Sequence, residues 1–153
     1  MKKIYSFVLL SIFIAGCSKD VLKRYEKRIE GVWQLVDVDR VGIGGSTSNV
    51  TFSDGQFTFS RDGQLKYTDN AGNAYNGSWD IRREWRRGSC NTDDNGNRNC
   101  DDKQVKTLRI TAINFTSQDV KTEYFDEMVF TGTNRFNAYV YSGFHTYVFR
   151  FRR

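Results

Sequence analysis

Proline is absent from this chain of 153 residues, histidine occurs once, and no long apolar run follows residue 17. Each shortage excludes something. No proline, together with 13 glycines and 15% aromatic residues, mostly Phe and Tyr, suits strands joined by glycine turns better than helices. The lone His145 leaves no histidine-rich metal spacing, and the chain has neither a nucleophile-elbow serine motif nor a glycine-rich phosphate loop. Asp126 and Glu127 are neighbours in a predicted strand, so they are expected on opposite faces, against a paired-carboxylate site. The sequence therefore predicts no enzyme and no cofactor. The net charge of +5 falls to +3 once Lys2 and Lys3 are set aside, too mild to imply a nucleic-acid partner.

What is there begins with a processing signal. Lys2 and Lys3 precede the apolar run Ile4 to Ile14, which is too short for a permanent membrane span, and small residues follow it. Ile14, Ala15, Gly16 and Cys17 resemble the lipobox of bacterial lipoproteins, in which the cysteine is lipidated and becomes the new N-terminus. The resemblance implies removal of residues 1–16, lipid attachment at Cys17 (palmitate among the acyl groups), and a membrane partner through that lipid. Ser18, Lys19 and Asp20 look like the surface-export signal of lipoproteins of the Bacteroidota; the plain alternative is a solvated tether. Location is therefore expected to be the outer membrane, with the cell surface as a further option.

Residues 17–153 number 137, enough for one domain with a core. Val21, Leu22, Tyr25 and Ile29 have the spacing of a short amphipathic helix, within a segment 17–27 of lipidated N-terminus, tether and helix. A strand from Gly31 toward Val41 follows, then a glycine and serine loop, Gly42 to Asn49, read as a lid or rim. Beyond Val50, period-two segments alternate with turn signals, and the later strands are expected at Val105–Ile113, Glu123–Phe130, Phe136–Tyr141 and Phe144–Phe151. The count is about eight. The fold expected is all-β: a single antiparallel up-and-down β-barrel, since closure removes exposed edges, with a two-sheet sandwich as the alternative.

Gly31 and Trp33 opening the first strand, Tyr75, Gly77 and Trp79 later, and Val148 to Phe151 before terminal arginines are similar to the lipocalin pattern, especially the small lipocalin-like lipoproteins of the Bacteroidota. The resemblance covers residues 28–153. It implies that Gly31 and Trp33 close the barrel floor, with Arg150 or Arg152 packed across the indole, and that a small hydrophobic or amphiphilic ligand binds inside. The residues expected to line that space are Phe57, Phe59, Tyr67, Trp79, Tyr139, Tyr141, Tyr147 and Phe149.

Two further stretches carry local signals. Cys90 and Cys100 are an even pair in an exported chain, and a three-residue loop Asp94–Gly96 would set them directly opposite, within disulfide reach. The same stretch also places Asn91, Asp93, Asn95, Asn97, Asn99 and Asp102 at the oxygen-ligand spacing of a calcium loop, although no flanking amphipathic helices are present. The stapled hairpin is the preferred reading. Arg82, Arg83, Arg86 and Arg87 surround Trp85, either as a platform for anions or partner proteins or as a charged edge that discourages strand addition. The functional expectation is an outer-membrane lipoprotein carrying a small apolar ligand. The rivals are a non-enzymatic accessory subunit of an outer-membrane or cell-surface complex and an immunity-type envelope protein.

Overall fold

The computed structural model describes residues 24–43 and 50–153. Cys17 with its lipobox, the residues Ser18 to Asp20, and most of the expected rim loop lie outside them. So do Val21 and Leu22, and the described part of the expected helix is a single turn, α1 (Tyr25–Ile29). Ile29 is fully buried, so this turn does offer an apolar side to the sheet.

The strands are β1 (Gly31–Gly42), β2 (Gln56–Phe59), β3 (Gln64–Thr68), β4 (Ala74–Arg86), β5 (Cys90–Thr92), β6 (Arg98–Cys100), β7 (Lys103–Asn114), β8 (Asp119–Phe125), β9 (Glu127–Gly132), β10 (Arg135–Ser142) and β11 (His145–Arg152). The fold is all-β. Nine strands form one antiparallel sheet in the order β8-β7-β4-β3-β2-β1-β11-β10-β9, while β5 and β6 pair separately as a ribbon. First strand pairs with last, with Val38 opposite Phe149 and Gly42 opposite His145. Everything else in the sheet is a meander, interrupted only where the ribbon is inserted between β4 and β7.

Alternation explains which face is buried. Phe57 and Phe59 on β2, Leu65 and Tyr67 on β3, and Phe149 and Phe151 on β11 are buried, while Gln56, Gln64, Lys66 and Arg152 between them are exposed. Three connections share one turn. In Ser60–Gln64, Asp69–Asn73 and Asp93–Asn97 the fourth residue is a glycine with φ near +80 to +90° (Gly63 +81°, Gly72 +88°, Gly96 +82°), and its N–H donates to the carbonyl three residues earlier. This is a three-residue hairpin loop, and side chains with a Cβ adopt that left-handed position poorly.

The expected strand Glu123–Phe130 is broken. Phe125 and Met128 are both buried, three residues apart, so an extra residue has been inserted and the chain bends between β8 and β9. The Asp126 N–H at the bend still donates to Tyr139 O at 2.8 Å. The two edge strands of the sheet are thus neighbours in sequence, separated by Asp126 alone.

Candidate functional sites

At the base of the sheet, Trp33 is fully buried and its indole N–H donates to Ile29 O at 2.6 Å, tying α1 to β1. Gly31 reaches φ +113° to make the entry into the strand, and a Cβ there would meet the Arg153 guanidinium at 3.4 Å. That arginine is the one that crosses the indole. Its guanidinium carbon stands 4.4 Å from the Trp33 ring centroid, and its Nη2 donates to Arg28 O at 2.9 Å and to Glu30 O. Arg150, expected in this role, points to the outer face of β11 and pairs with Asp37 and, at 3.2 Å, with Asp39. Arg152 is exposed beside it. The parity of β11 decides this: Phe149 and Phe151 take the inward positions, Arg150 and Arg152 face out, and Arg153 continues the inward set onto the indole. A cation over an indole contributes about 0.5 to 2 kcal/mol, so the assembly is a structural latch.

Of the residues expected to line a ligand space, Phe57, Phe59, Tyr67, Trp79 and Phe149 belong to one packed core. Their rings touch each other and neighbours the sequence did not single out. Phe57 lies 4.6 Å from Tyr67 and 5.4 Å from Phe151, Phe59 5.6 Å from Trp79, and Phe149 5.0 Å from Phe125. Phe136 stacks on Phe151 at 4.3 Å and meets Trp33 at 4.7 Å. Burial pushes the Tyr67 phenol well above its ordinary pKa, helped by the nearby Asp54 and Asp69 charges. Tyr147 faces inward and is half-buried. Tyr139 and Tyr141 do not line the interior: Phe136 and Ala138 hold the inward positions on β10, and the two tyrosines stack on each other outside, 6.2 Å apart.

The ribbon matches its expectation closely. Cys90 is opposite Cys100 and bonded to it, with a Cα separation of 4.0 Å. Calcium coordination fits the loop poorly. One Asp93 carboxylate oxygen accepts the N–H groups of Asn95 (3.0 Å) and Asn97 (2.7 Å), and the other accepts Asn97 Nδ2 at 3.1 Å. Those bonds to Asn97 and Asn95 hold the Asp93 carboxyl below its usual range, with the oxygens turned into the turn. Asn91 and Asn99 stand opposite one another on the ladder, and Asp102 lies past its end. The described residues hold no group of three or more acidic, cysteine or histidine ligands arranged for a metal.

The arginine cluster does not act as one platform. Strand alternation divides it, and Arg82 is taken up by Asp80 at 2.6 Å. Arg83 and Arg87 are exposed, as is Trp85, at 73%. Arg86 is drawn into the body, 4.0 Å over the Tyr141 ring and 3.5 and 3.7 Å from Asp126 and Glu127. Both carboxylates therefore lie on one side, contrary to the alternation expected of them, because the bend at Asp126 rotates the chain. Glu127 also accepts from Lys103 Nζ at 3.0 Å and from the Tyr141 hydroxyl at 2.9 Å. Burial opposes its ionisation, but hydrogen bonds from Lys103 and Tyr141 and the charges of Lys103 and Arg86 outweigh this, and the carboxyl sits below its usual range. Arg86 and Lys103 are directly opposed where β4 leaves for the ribbon and β7 returns. Glu127 thus pins both roots of the ribbon to β9. The sequence did carry a trace of this node, an acidic pair interrupting the apolar run from Tyr124 to Phe130.

Comparison with protein-family models, with curated proteins and with solved structures finds no match to this chain.

Proposed function

We propose that this chain is a non-enzymatic lipoprotein of the outer membrane, anchored through lipid on Cys17, whose β-body serves as an accessory subunit of an envelope protein complex. In this reading the sheet closes as a lipocalin-like barrel of eight staves, β8 and β9 being the halves of one bent strand. Support for closure comes from the pairing of first and last strands and from the single residue, Asp126, that joins the two sheet edges. The observation that carries the accessory role is the ribbon. It is a disulfide-stapled hairpin outside the main sheet, rooted by charge pairs and flanked by the exposed Trp85, while the buried aromatic rings of the body pack on one another. Exposed aromatics beside arginines are the composition of interface anchors.

The test is a pull-down from detergent-solubilised membranes with and without residues 88–102. A specific partner protein lost on that deletion, while thermal unfolding of the body is unchanged, supports the accessory role. A partner set that ignores the deletion overturns it. Carriage of a small apolar or amphiphilic ligand is the second reading. It is favoured by Val38, Val140 and Tyr147, which are only partly buried against the core. Lipid-like mass retained in native mass spectrometry of protein from its own membrane would support it. Anchoring is checked separately, by loss of palmitate labelling in Cys17→Ala.

A further inference from the structure

Arg135 begins β10 and Arg152 ends β11, and the two are direct partners across the ladder. Their neighbours Phe136 and Phe151 are buried, so both arginines point outward. Like charges placed opposite on a sheet repel, and folded chains usually separate or neutralise them. Here neither guanidinium has an ion pair or side-chain hydrogen bond among the described residues. They border an open groove of about 400 Å³ on the outer face, with Thr131, Asn137, Val36 and Arg150 also on its walls. The charge in the groove is polarised. Arg150, two residues up β11, is neutralised by Asp37 and Asp39, which leaves the excess positive charge at the base end.

The base is also where the chain arrives from Cys17. Arg28 Nη2 donates to Gly132 O at 3.2 Å, joining α1 to the turn that leads into Arg135. Arg24, Lys27, Arg28 and Arg153 lie at this same end against Glu26 and Glu30, and Glu30 is paired with Arg61. Six residues lie between Cys17 and Arg24, and extended chain covers at most about 25 Å over those seven steps. A lipid on Cys17 would therefore hold the basic end of the body within reach of the bilayer surface. Paired guanidinium forks match phosphate oxygens bidentately, and a polybasic patch is the usual second signal that stabilises a lipid anchor.

We propose that Arg135 and Arg152 form a clamp for the phosphate of anionic membrane headgroups, seating the base of the body on the membrane that holds it. The proposal rests on the lipid-anchor reading. Its test uses the mature lipidated protein in neutral-detergent micelles, titrated with short-chain phosphatidylglycerol or phosphatidylcholine and followed by thermophoresis. The protein is expected to prefer phosphatidylglycerol by about tenfold, and Arg135→Gln/Arg152→Gln to bring the preference within about twofold. Lys66→Gln/Arg109→Gln, the same change of charge elsewhere, should retain it. The clamp double variant should melt at the parent temperature or above it, because a repulsion has been removed. If it does not fold, Arg135→Lys, which keeps the charge and loses the fork, should retain only part of the preference. An unchanged preference in either clamp variant overturns the proposal. Glycerol phosphate binding as tightly as phosphatidylglycerol also overturns it, in favour of a site for soluble phosphate esters. Absence of palmitate on Cys17 in the same preparation would sink the anchor reading alone, since the headgroup preference is scored independently of it.

Discussion

The β3–β4 connection and the ribbon use the same five-residue turn, Asp69–Asn73 in one and Asp93–Asn97 in the other, yet what lies behind each turn is opposite. In both, the aspartate accepts the N–H and Nδ2 of the asparagine four residues on, and a glycine takes the left-handed position. Behind the first turn stand Tyr67 and Tyr75, both buried, with ring centroids 5.3 Å apart. Behind the second are two strands of three residues with no buried side chain. An isolated two-stranded hairpin is marginal in water. The turn sets the register in both places; burial holds it in the body, and the Cys90–Cys100 bond holds it in the ribbon.

The comparison breaks most visibly when the core is emptied. Phe57 touches Phe52, Phe59, Tyr67 and Phe151, and Phe57→Ala should destabilise the body by about 3 to 5 kcal/mol. Chemical denaturation would read this directly. The ribbon, held by its own bond, should stay oxidised in the variant. Removing the staple is the converse experiment. Closing a loop of about ten residues contributes on the order of 2 to 3 kcal/mol, and this should be lost in Cys90→Ser/Cys100→Ser within the ribbon only. Protease should then cut between residues 90 and 100 while the melting temperature of the body moves by less than about 2 °C. A fall comparable to that of Phe57→Ala would show that ribbon and body unfold as one unit.

A subtler separation uses the shared turn itself. Gly63 and Gly96 have nearly the same φ, and a Cβ at either meets no atom closer than 3.5 Å. Alanine at either position therefore carries the backbone penalty alone, about 1 to 2 kcal/mol. Gly63→Ala should lower the stability of the body by that amount, since it lies between two strands of the main sheet. Gly96→Ala should leave the body unchanged and raise only the exchange rates of ribbon amides. Equal effects on global unfolding would remove the distinction drawn between the regions.

Much of this was readable in the sequence for identifiable reasons. Glycine turns recur at fixed offsets, and a three-residue loop ending at Gly96 is what sets Cys90 opposite Cys100. The aromatic residues expected to line the interior do not all share one face, and Tyr139 and Tyr141 fall outside because the inward set begun by Phe136 continues through Ala138. The bend at Asp126 hid because period two was assumed to run through Glu123–Phe130, whereas an inserted residue resets it. Arg153 lies just past the end of β11, yet the inward set of Phe149 and Phe151 runs on to it, whereas Arg150 and Arg152 have the opposite parity. The opposition of Arg135 and Arg152 was legible in principle. The two-residue turn Gly143–Phe144 sets Ser142 against His145, and counting back along both strands brings the arginines together.

The weakest expected effect tests the joint between the two regions. Glu127 binds Lys103 and Arg86, which root the ribbon on its two sides, and its side chain is 15% exposed. Its carboxyl is held below the ordinary range, so the native state binds a proton there less readily than the unfolded chain. The stability it contributes is complete above the ordinary glutamate pKa, and declines as pH falls through that value toward the lower folded one. Because both cations remain partly in water, the contribution should be under about 1 kcal/mol and smaller at high salt. Glu127→Gln should therefore lower stability by that amount at neutral pH and converge with the parent as pH falls below the ordinary glutamate range, which flattens part of the acid side of the stability profile. Hydrogen exchange across that range would localise the effect. Faster exchange at the roots, near Arg86 and Lys103, ahead of the sheet centre would mean that the carboxylate is the hinge between body and ribbon. If parent and variant follow the same pH profile, the roots are held by the β4–β7 ladder alone.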